Sequence, residues 1–323
     1  MPETMIEISD LTRNYGPTRA LDRIGFQVQR GEVMGFLGPN GAGKTTAMRI
    51  LAGILAPTEG SVHVAGLDMI ANPVEARAKI GFLPESPPIY DEMTVREYLT
   101  YLAALRRLPG KRIRDAVEHA MERCGLRPTA DRLLRNLSKG YRQRAGIAQA
   151  IVHSPEVVIL DEPTVGLDPI QIREIRQLIR DLGGEHSVLL STHILPEVRM
   201  TCNRVAVINQ GRIVANDTLE GLEQKASGLG SFFVRWNNPP EPATLQQIPG
   251  VARIKEKEGG WTITPVKDAD PIPELVHRSA SQGWDLRELL PAGESLEEIF
   301  LNLTTREEGT ESPASTVSKG VSP

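Results

Sequence analysis

Residues 38–46 read GPNGAGKTT and directly follow the short apolar run VMGFL at residues 33–37. The stretch holds three glycines ahead of a lysine and two threonines. Glycines let the backbone turn tightly and aim successive N–H groups at an anion, and the positive end of a following helix favours the same charge. The spacing also matches the pattern G-x-x-x-x-G-K-T. The sequence therefore predicts a phosphate-binding loop between a strand and a helix.

The segments beside this loop support a ligand-binding role over the alternative of a glycine-rich turn without a ligand. Apolar residues recur at helical spacing across residues 44–55, and Pro57 is expected to end that helix. Lys44 would contact the terminal phosphates of a nucleoside triphosphate, and the hydroxyl of Thr45 would ligate Mg²⁺.

Composition limits the classes of protein that the chain can belong to. The 323 residues suggest a large domain with a smaller one, and the net charge of −4 argues against a nucleic-acid partner. Neither Cys124 nor Cys202 lies in a CxxC motif or near a histidine cluster, so both are expected to be reduced cytosolic thiols. No window approaches about 18 apolar residues and no secretory leader is recognised. We expect a cytoplasmic chain, with any membrane crossing made by another protein.

The first 224 residues have the pattern of an α/β domain. Strands that are apolar on both faces, at 157–160 and 187–192, are typical of a parallel sheet covered by helices. Residues 204–218 predict a hairpin. A helical subdomain is expected at about residues 86–155, where strand patterns are missing.

The amino-acid composition changes at about residue 225, and residues 225–303 predict a small α+β accessory domain. A hairpin with a Gly-Gly turn is expected at 251–266 and a helix at 273–284. A second helix, opened by the capping pair Ser295 and Glu298, is expected at 295–304. The tail, residues 304–323, lacks apolar periodicity and is expected to be disordered.

Two acidic residues follow the first of the apolar strands, in VVILDEP at 157–163. A carboxylate at the end of a buried strand can reach Mg²⁺ at the edge of the sheet, which assigns Asp161. Glu162 comes next and is placed to polarise an attacking water. An ordinary acidic turn is the alternative interpretation of this pair taken alone.

The stretch LSKGYRQR at 137–144 offers a second anion contact. Ser138 and Gly140 stand at the start of a predicted helix, where a hydroxyl and free N–H groups are available. Taken alone, the stretch would be interpreted as a capped helix start.

Together, these motifs resemble, in order and spacing, the ATPase subunit of ABC transporters over roughly residues 5–220. The resemblance implies an α/β P-loop NTPase (ABC ATPase) domain with an antiparallel β subdomain and a helical subdomain. It also implies a head-to-tail homodimer with ATP and Mg²⁺ at the interface. The motifs are those at residues 38–46, 138–143, 161–162, 166–168 and 191–193.

The resemblance further implies roles for individual residues, with Tyr15 stacking on adenine and Asp168 touching the partner subunit. Taken alone, Tyr15 would be interpreted as a tyrosine at the edge of the core and His193 as a histidine in a loop. Their positions relative to the phosphate-binding loop favour contacts with the nucleotide instead. The implied ATP-binding residues are Tyr15, Gly38, Pro39, Asn40, Gly41, Ala42, Gly43, Lys44, Thr45 and Thr46, with Ser138 and Gly140 of the other subunit. The implied Mg²⁺ ligands are Thr45, Asp161 and Glu85, and the implied catalytic residues are Glu162 as base, His193 as γ-phosphate sensor and Lys44.

Three departures from the family pattern point to one branch of it. Lys139 and Tyr141 stand where the family usually has Gly and Gln, and Glu85 stands where a glutamine is common. A carboxylate is a stronger Mg²⁺ ligand than an amide, so the metal dependence of hydrolysis or its coupling to the permease can differ from the family pattern. These features resemble the ATPases that serve ABC-2-type exporters, which implies a separate integral permease docked near residues 85–105.

Two other functions stay open from the residues alone. A soluble ABC-type mechanoenzyme acting on ribosomes or DNA is the main alternative, although the chain has one cassette, no sustained heptads and no basic stripe. A ligand-sensing role for the C-terminal domain is the other.

Overall fold

The structure is a computed structural model that describes residues 3–226, 231–257, 259–266, 269–291 and 300. The strands of this part of the chain are β1 (Thr4–Tyr15), β2 (Thr18–Gln29), β3 (Val33–Leu37), β4 (Glu59–Val64), β5 (Leu67–Asp68), β6 (Ile80–Leu83), β7 (Val157–Asp161), β8 (Ser187–Thr192), β9 (Arg204–Asn209), β10 (Arg212–Thr218), β11 (Phe232–Trp236), β12 (Val251–Lys257), β13 (Gly260–Pro265) and β14 (Leu286–Pro291). The helices are α1 (Lys44–Leu51), α2 (Pro73–Ala78), α3 (Val95–Leu105), α4 (Gly110–Arg123), α5 (Lys139–Ile151), α6 (Pro169–Leu182), α7 (Leu195–Thr201), α8 (Leu219–Ala226), α9 (Pro242–Gln246) and α10 (Ile272–Ser281).

The central sheet has six strands in the order β10-β9-β3-β8-β7-β6. Its strands β9, β3, β8, β7 and β6 run parallel, and β10 returns antiparallel to β9. Side chains alternate along β7, so that Val157 and Ile159 enter one core while Val158 and Leu160 enter the other. The predicted parallel sheet, apolar on both faces, is confirmed.

Each face of this sheet is covered by a different layer. An antiparallel sheet, β2-β1-β4-β5, packs with α1 on one face around Phe36 and Met48. Helices α3, α4 and α5 pack on the other face around Tyr98, Met121 and Ile147. The predicted helical segment is therefore present. Its first helix opens on a capping box between Thr94 and Glu97, as its sequence TVRE allows.

The helix that follows the glycine-rich loop ends earlier than predicted. Apolar spacing indicated a helix over residues 44–55, but α1 ends at Leu51. Gly53 takes the left-handed conformation with φ of +68°, which lets the chain leave the helix before Pro57 is reached. Ile54 is consequently exposed rather than packed.

A third sheet, β12-β13-β11-β14, has its own core near the C-terminus. The rings of Trp236 and Trp284 meet edge to face with centroids 5.8 Å apart. The indole N–H of Trp236 donates to the hydroxyl of Ser279 on α10 at 2.8 Å. The predicted hairpin and the predicted helix at 273–284 are present. The predicted helix at 295–304 and the tail lie outside the described residues, except that Phe300 is helical.

Both cysteines are buried in the core that lies between the central sheet and its helices. Burial raises the pKa of the Cys124 thiol to about 12 and raises that of Cys202 as well. None of the described helices has the length and apolar character that a bilayer span requires.

Gly81→Ala is expected to destabilise the chain, because a Cβ at this position of β6 would lie 2.0 Å from the carbonyl oxygen of Ala150 in α5. Forcing this strand and helix apart should cost about 1–3 kcal/mol and lower the midpoint of thermal unfolding, followed by circular dichroism. Gly110→Ala is the control, since a Cβ there meets no atom within 4 Å. Equal midpoints for the two variants would contradict this view of the β6–α5 contact.

Candidate functional site

The loops after four parallel strands meet at one edge of the central sheet. Leu37 pairs with Thr192, Asp161 with Ser191, and β6 ends beside β7, so the strand ends are level. A cavity of about 320 Å³ opens at this edge. It is lined by Ala20, Asn40, Gly41, Gly43, Lys44, Thr45, Thr46, Glu85, Glu162, Val165 and His193. Six of the twelve residues predicted to bind ATP therefore line the cavity, together with Glu85, Glu162 and His193.

The glycine-rich loop is pressed against two strands, and only glycine fits at two of its positions. A Cβ on Gly38 would lie 2.3 Å from the carbonyl oxygen of Ile208. Gly43 has φ of +106°, and a Cβ there would lie 2.6 Å from the carbonyl oxygen of Ala20. Helix α1 begins at the next residue, so the N–H groups of residues 44–46 have no acceptor within the helix and point towards its open end. This arrangement suits an anion.

Lys44 supplies the positive charge of the cavity. Its side chain is only 6% exposed. The ammonium donates to the carbonyl oxygens of Gly38 at 2.8 Å and Pro39 at 3.1 Å, and it lies 3.3 Å from Glu162 Oε1. A buried ammonium needs such partners. Phosphate oxygens at the mouth of α1 would be within the same reach of a flexible lysine.

Ser191 contacts the two acidic residues at the C-terminal end of β7, Asp161 and Glu162. Its hydroxyl donates to Asp161 Oδ1, and it accepts from the backbone N–H of Glu162 at 3.1 Å. Glu162 takes φ of +50°, an uncommon conformation for a residue with a side chain, which turns its carboxylate towards the cavity. The sequence singled out Ser191 only as part of a motif. A polar residue at the end of an otherwise apolar strand was the available signal.

Glu162 and His193 form a pair at the cavity. The Nδ1 atom of His193 lies 3.0 Å from Glu162 Oε2 and 3.1 Å from Oε1. The glutamate is buried and the histidine side chain is 39% exposed. A carboxylate held between an imidazole and an ammonium can orient a water and accept its proton.

Two of the three predicted Mg²⁺ ligands line the cavity. Thr45 and Glu85 line the cavity, whereas Asp161 is buried below it and bonded to Ser191. The described residues include no group of three His, Cys, Asp or Glu side chains arranged to hold a metal. Mg²⁺ prefers oxygen ligands and commonly keeps waters and substrate phosphates in its shell. A hydroxyl and carboxylates fit Mg²⁺ that is shared with a bound triphosphate.

Six of the residues predicted to contact ATP do not line the cavity: Tyr15, Gly38, Pro39, Ala42, Ser138 and Gly140. Tyr15 stands half-exposed at the end of β1, with the guanidinium of Arg13 lying 4.8 Å over its ring. Ser138 caps α5 by accepting from the N–H of Tyr141 at 3.4 Å, and Gly140 is buried. The cavity of one chain is therefore built without the LSKGY segment.

Asp168 has a local role that the sequence reasoning did not include. Its carboxylate caps α6 and accepts from the N–H groups of Ile170 at 3.0 Å and Gln171 at 2.9 Å. Aspartate followed by proline at the first helical position was the signal for this cap.

The fold and the cavity define a nucleotide-binding protein of the phosphate-binding-loop class, with an acid and a histidine beside the glycine-rich loop. Residues 21–165 match the family described as ABC transporter. The chain belongs to the ABC transporter family as one of its ATP-binding subunits, and it is an ATPase.

Similarity to two relatives extends over almost the whole chain. The uncharacterized ABC transporter ATP-binding protein YdbJ of Bacillus subtilis (strain 168) is 35% identical over 316 residues, which are 96% of this chain and 99% of that protein. The Nod factor export ATP-binding protein I of Paraburkholderia xenovorans (strain LB400) is 35% identical over 309 residues, 95% of this chain and 99% of the relative. A solved dimeric bacterial ABC transporter cassette, 25% identical, matches with a TM-score of 0.61 over 67% of this chain and 99% of its own. These relatives favour transport over the soluble mechanoenzyme.

Ser191→Ala is expected to raise the Mg²⁺ concentration needed for half-maximal ATP hydrolysis, by about tenfold, because Asp161 loses the hydroxyl that orients it. The measurement is ATP turnover titrated with MgCl₂. Ser187→Ala is the matched control, since Ser187 is a buried serine at the other end of β8 that accepts from the N–H of Gly31. If both variants had the same Mg²⁺ requirement, Ser191 would have no part in metal binding.

Proposed function

We propose that this chain is the ATP-binding and hydrolysing subunit of an ABC-2-type exporter, working as a head-to-tail homodimer on a separate membrane permease. The observation that carries the proposal is the cavity where Lys44, Glu162 and His193 meet beside the open end of α1. Export is supported by the relative named for Nod factor export. The chain would work at the inner face of the membrane, held there by the permease.

A second copy of the chain would complete the nucleotide site. Ser138 and Gly140 stand at the start of α5, outside the cavity of their own chain. A head-to-tail partner would bring this helix start to the phosphates bound by the first copy. The similar cassette that has been solved is itself dimeric. Closure on ATP and opening after hydrolysis would then pull on the permease.

The residues at the cavity have distinct roles in this proposal. The loop and Lys44 bind the phosphates, and Tyr15 stacks on adenine from the end of β1. Mg²⁺, held by Thr45 and Asp161 with Glu85 nearby, would neutralise charge on the phosphate oxygens. Glu162 accepts the proton of the attacking water, and His193 orients Glu162 through its Nδ1 contact while its exposed side faces the γ-phosphate.

The division of the chain into domains is part of the same proposal. Residues 1–224 would be the ATPase domain, with a helical subdomain at about 86–155, and residues 225–303 an accessory domain. The separate third sheet and its tryptophan core support this boundary. Residues 304–323 would be a disordered tail.

A patch of Tyr90, Tyr101 and Leu105 is our proposed docking surface for the permease. The three side chains are at least 40% exposed, and Tyr101 and Leu105 share a face of α3 four residues apart. The rings of Tyr90 and Tyr101 meet edge to face at 5.8 Å. An apolar patch of this kind, close in sequence to Glu85, would couple the permease to the cavity.

Glu162→Gln is expected to lower the rate of ATP turnover at least about a hundredfold, because an amide has the same shape but cannot accept the proton. ATP binding should persist, so a dimer should accumulate in Mg·ATP, measured by light scattering after size-exclusion chromatography. Glu288→Gln, on the third sheet, is the control and should turn over normally. Equal turnover in Glu162→Gln and the unmodified chain would remove Glu162 from the role of base.

Leu105→Glu is expected to release the chain from membranes that contain its permease, because a charge replaces the apolar contact. The measurement is the fraction of chain that sediments with membranes, with ATP binding unchanged. Val276→Glu, at an exposed position on α10, is the control. Undiminished sedimentation of Leu105→Glu would place the docking surface elsewhere.

A further inference from the structure

Glu197 is a buried acid that the proposed reaction does not use. It lies on α7 and is only 1% exposed. Its Oε1 accepts from the hydroxyl of Thr164, and its Oε2 accepts from the hydroxyl of Thr192 at 2.7 Å. Burying a carboxylate without such donors is strongly unfavourable, so these contacts must form together with the fold around them.

A cation completes the surroundings of Glu197. The guanidinium of Arg176, on α6, lies 3.7 Å from Glu197 Oε1 and is itself largely buried. The same guanidinium donates to the sulfur of Met200 at 3.3 Å. Glu197 is thus held from α6, from the loop after β7 and from the end of β8.

The two threonines stand beside the residues of the candidate active site. Thr164 is two residues after Glu162, and Thr192 directly precedes His193. Both threonines are buried. The hydroxyl of Thr192 also accepts from the N–H of Ile194 at 3.0 Å, which fixes its direction. One carboxylate therefore links the loop after β7 to the last residue of β8, next to His193.

We propose that Glu197 is a positioning residue for ATP hydrolysis. By accepting from Thr164 and Thr192 at once, it sets the distance between the loop of Glu162 and the loop of His193. The inference rests on the roles proposed above for that pair. Catalytic groups misplaced by about 1 Å can lose on the order of a hundredfold in rate.

The test is a pair of substitutions at Thr164 that separate the hydroxyl from the shape of the side chain. Thr164→Val keeps the shape and removes the donor to Glu197. It should lower kcat for ATP on the order of tenfold to a hundredfold, with little change in KM. Thr164→Ser keeps the hydroxyl and loses a methyl group, and its kcat should stay close to that of the unmodified chain. Steady-state ATP hydrolysis by the full chain gives both constants.

Thr129→Val is the matched control, because Thr129 is buried and donates only to the carbonyl oxygen of Leu126, away from the cavity. Its kcat should not fall. The proposal is overturned if Thr164→Val keeps the kcat of the unmodified chain, or if Thr164→Ser is as slow as Thr164→Val.

Glu197→Gln provides the test if Thr164→Val does not fold. The amide keeps the length of the side chain, but it can accept only one of the two hydroxyl hydrogen bonds and gives up the charge opposite Arg176. Its kcat should fall while KM for ATP is little changed, and an unchanged kcat overturns the proposal. Failure of the proposed function would show differently, as unchanged turnover in Glu162→Gln.

Discussion

The level ends of the parallel strands are the constraint on which the rest of the structure depends. Because β3, β8 and β7 pair without offset, the loops that leave them begin at the same height. Each loop then contributes one kind of group: amides and an ammonium after β3, an imidazole after β8 and carboxylates after β7. A shift of one residue in any strand would exchange a buried apolar side chain for one of these groups. The strand register therefore also determines the geometry of the site.

Buried charged side chains at this edge have oppositely charged neighbours. Lys44 lies against Glu162, and Glu197 lies against Arg176. In a largely buried setting, each of these groups depends on its partner, since an isolated charge would be strongly destabilising. These paired polar side chains therefore contribute to the stability of this part of the fold, as the aliphatic side chains around them do.

The sequence predicted those features that depend on local chemistry. The phosphate-binding loop could be found because the glycine spacing, the lysine and the flanking strand and helix are all contiguous along the chain. The contacts of Ser191 with Asp161 and of Glu197 with Thr164 could not, because these residues are 30 and 33 positions apart and meet only in the folded chain. The predicted end of α1 was wrong for a local reason. Apolar spacing continued past Leu51, but Gly53 takes the left-handed conformation and the chain leaves the helix there.

The burial of both thiols makes the native cysteines unreactive towards thiol reagents in the folded chain. A thiolate is the reactive form of cysteine, and the raised pKa values of Cys124 and Cys202 keep that form scarce. A single cysteine introduced on the surface would therefore carry a fluorophore or spin label without removal of the native pair. Distances between labelled copies could then be followed through the nucleotide cycle in otherwise unaltered protein.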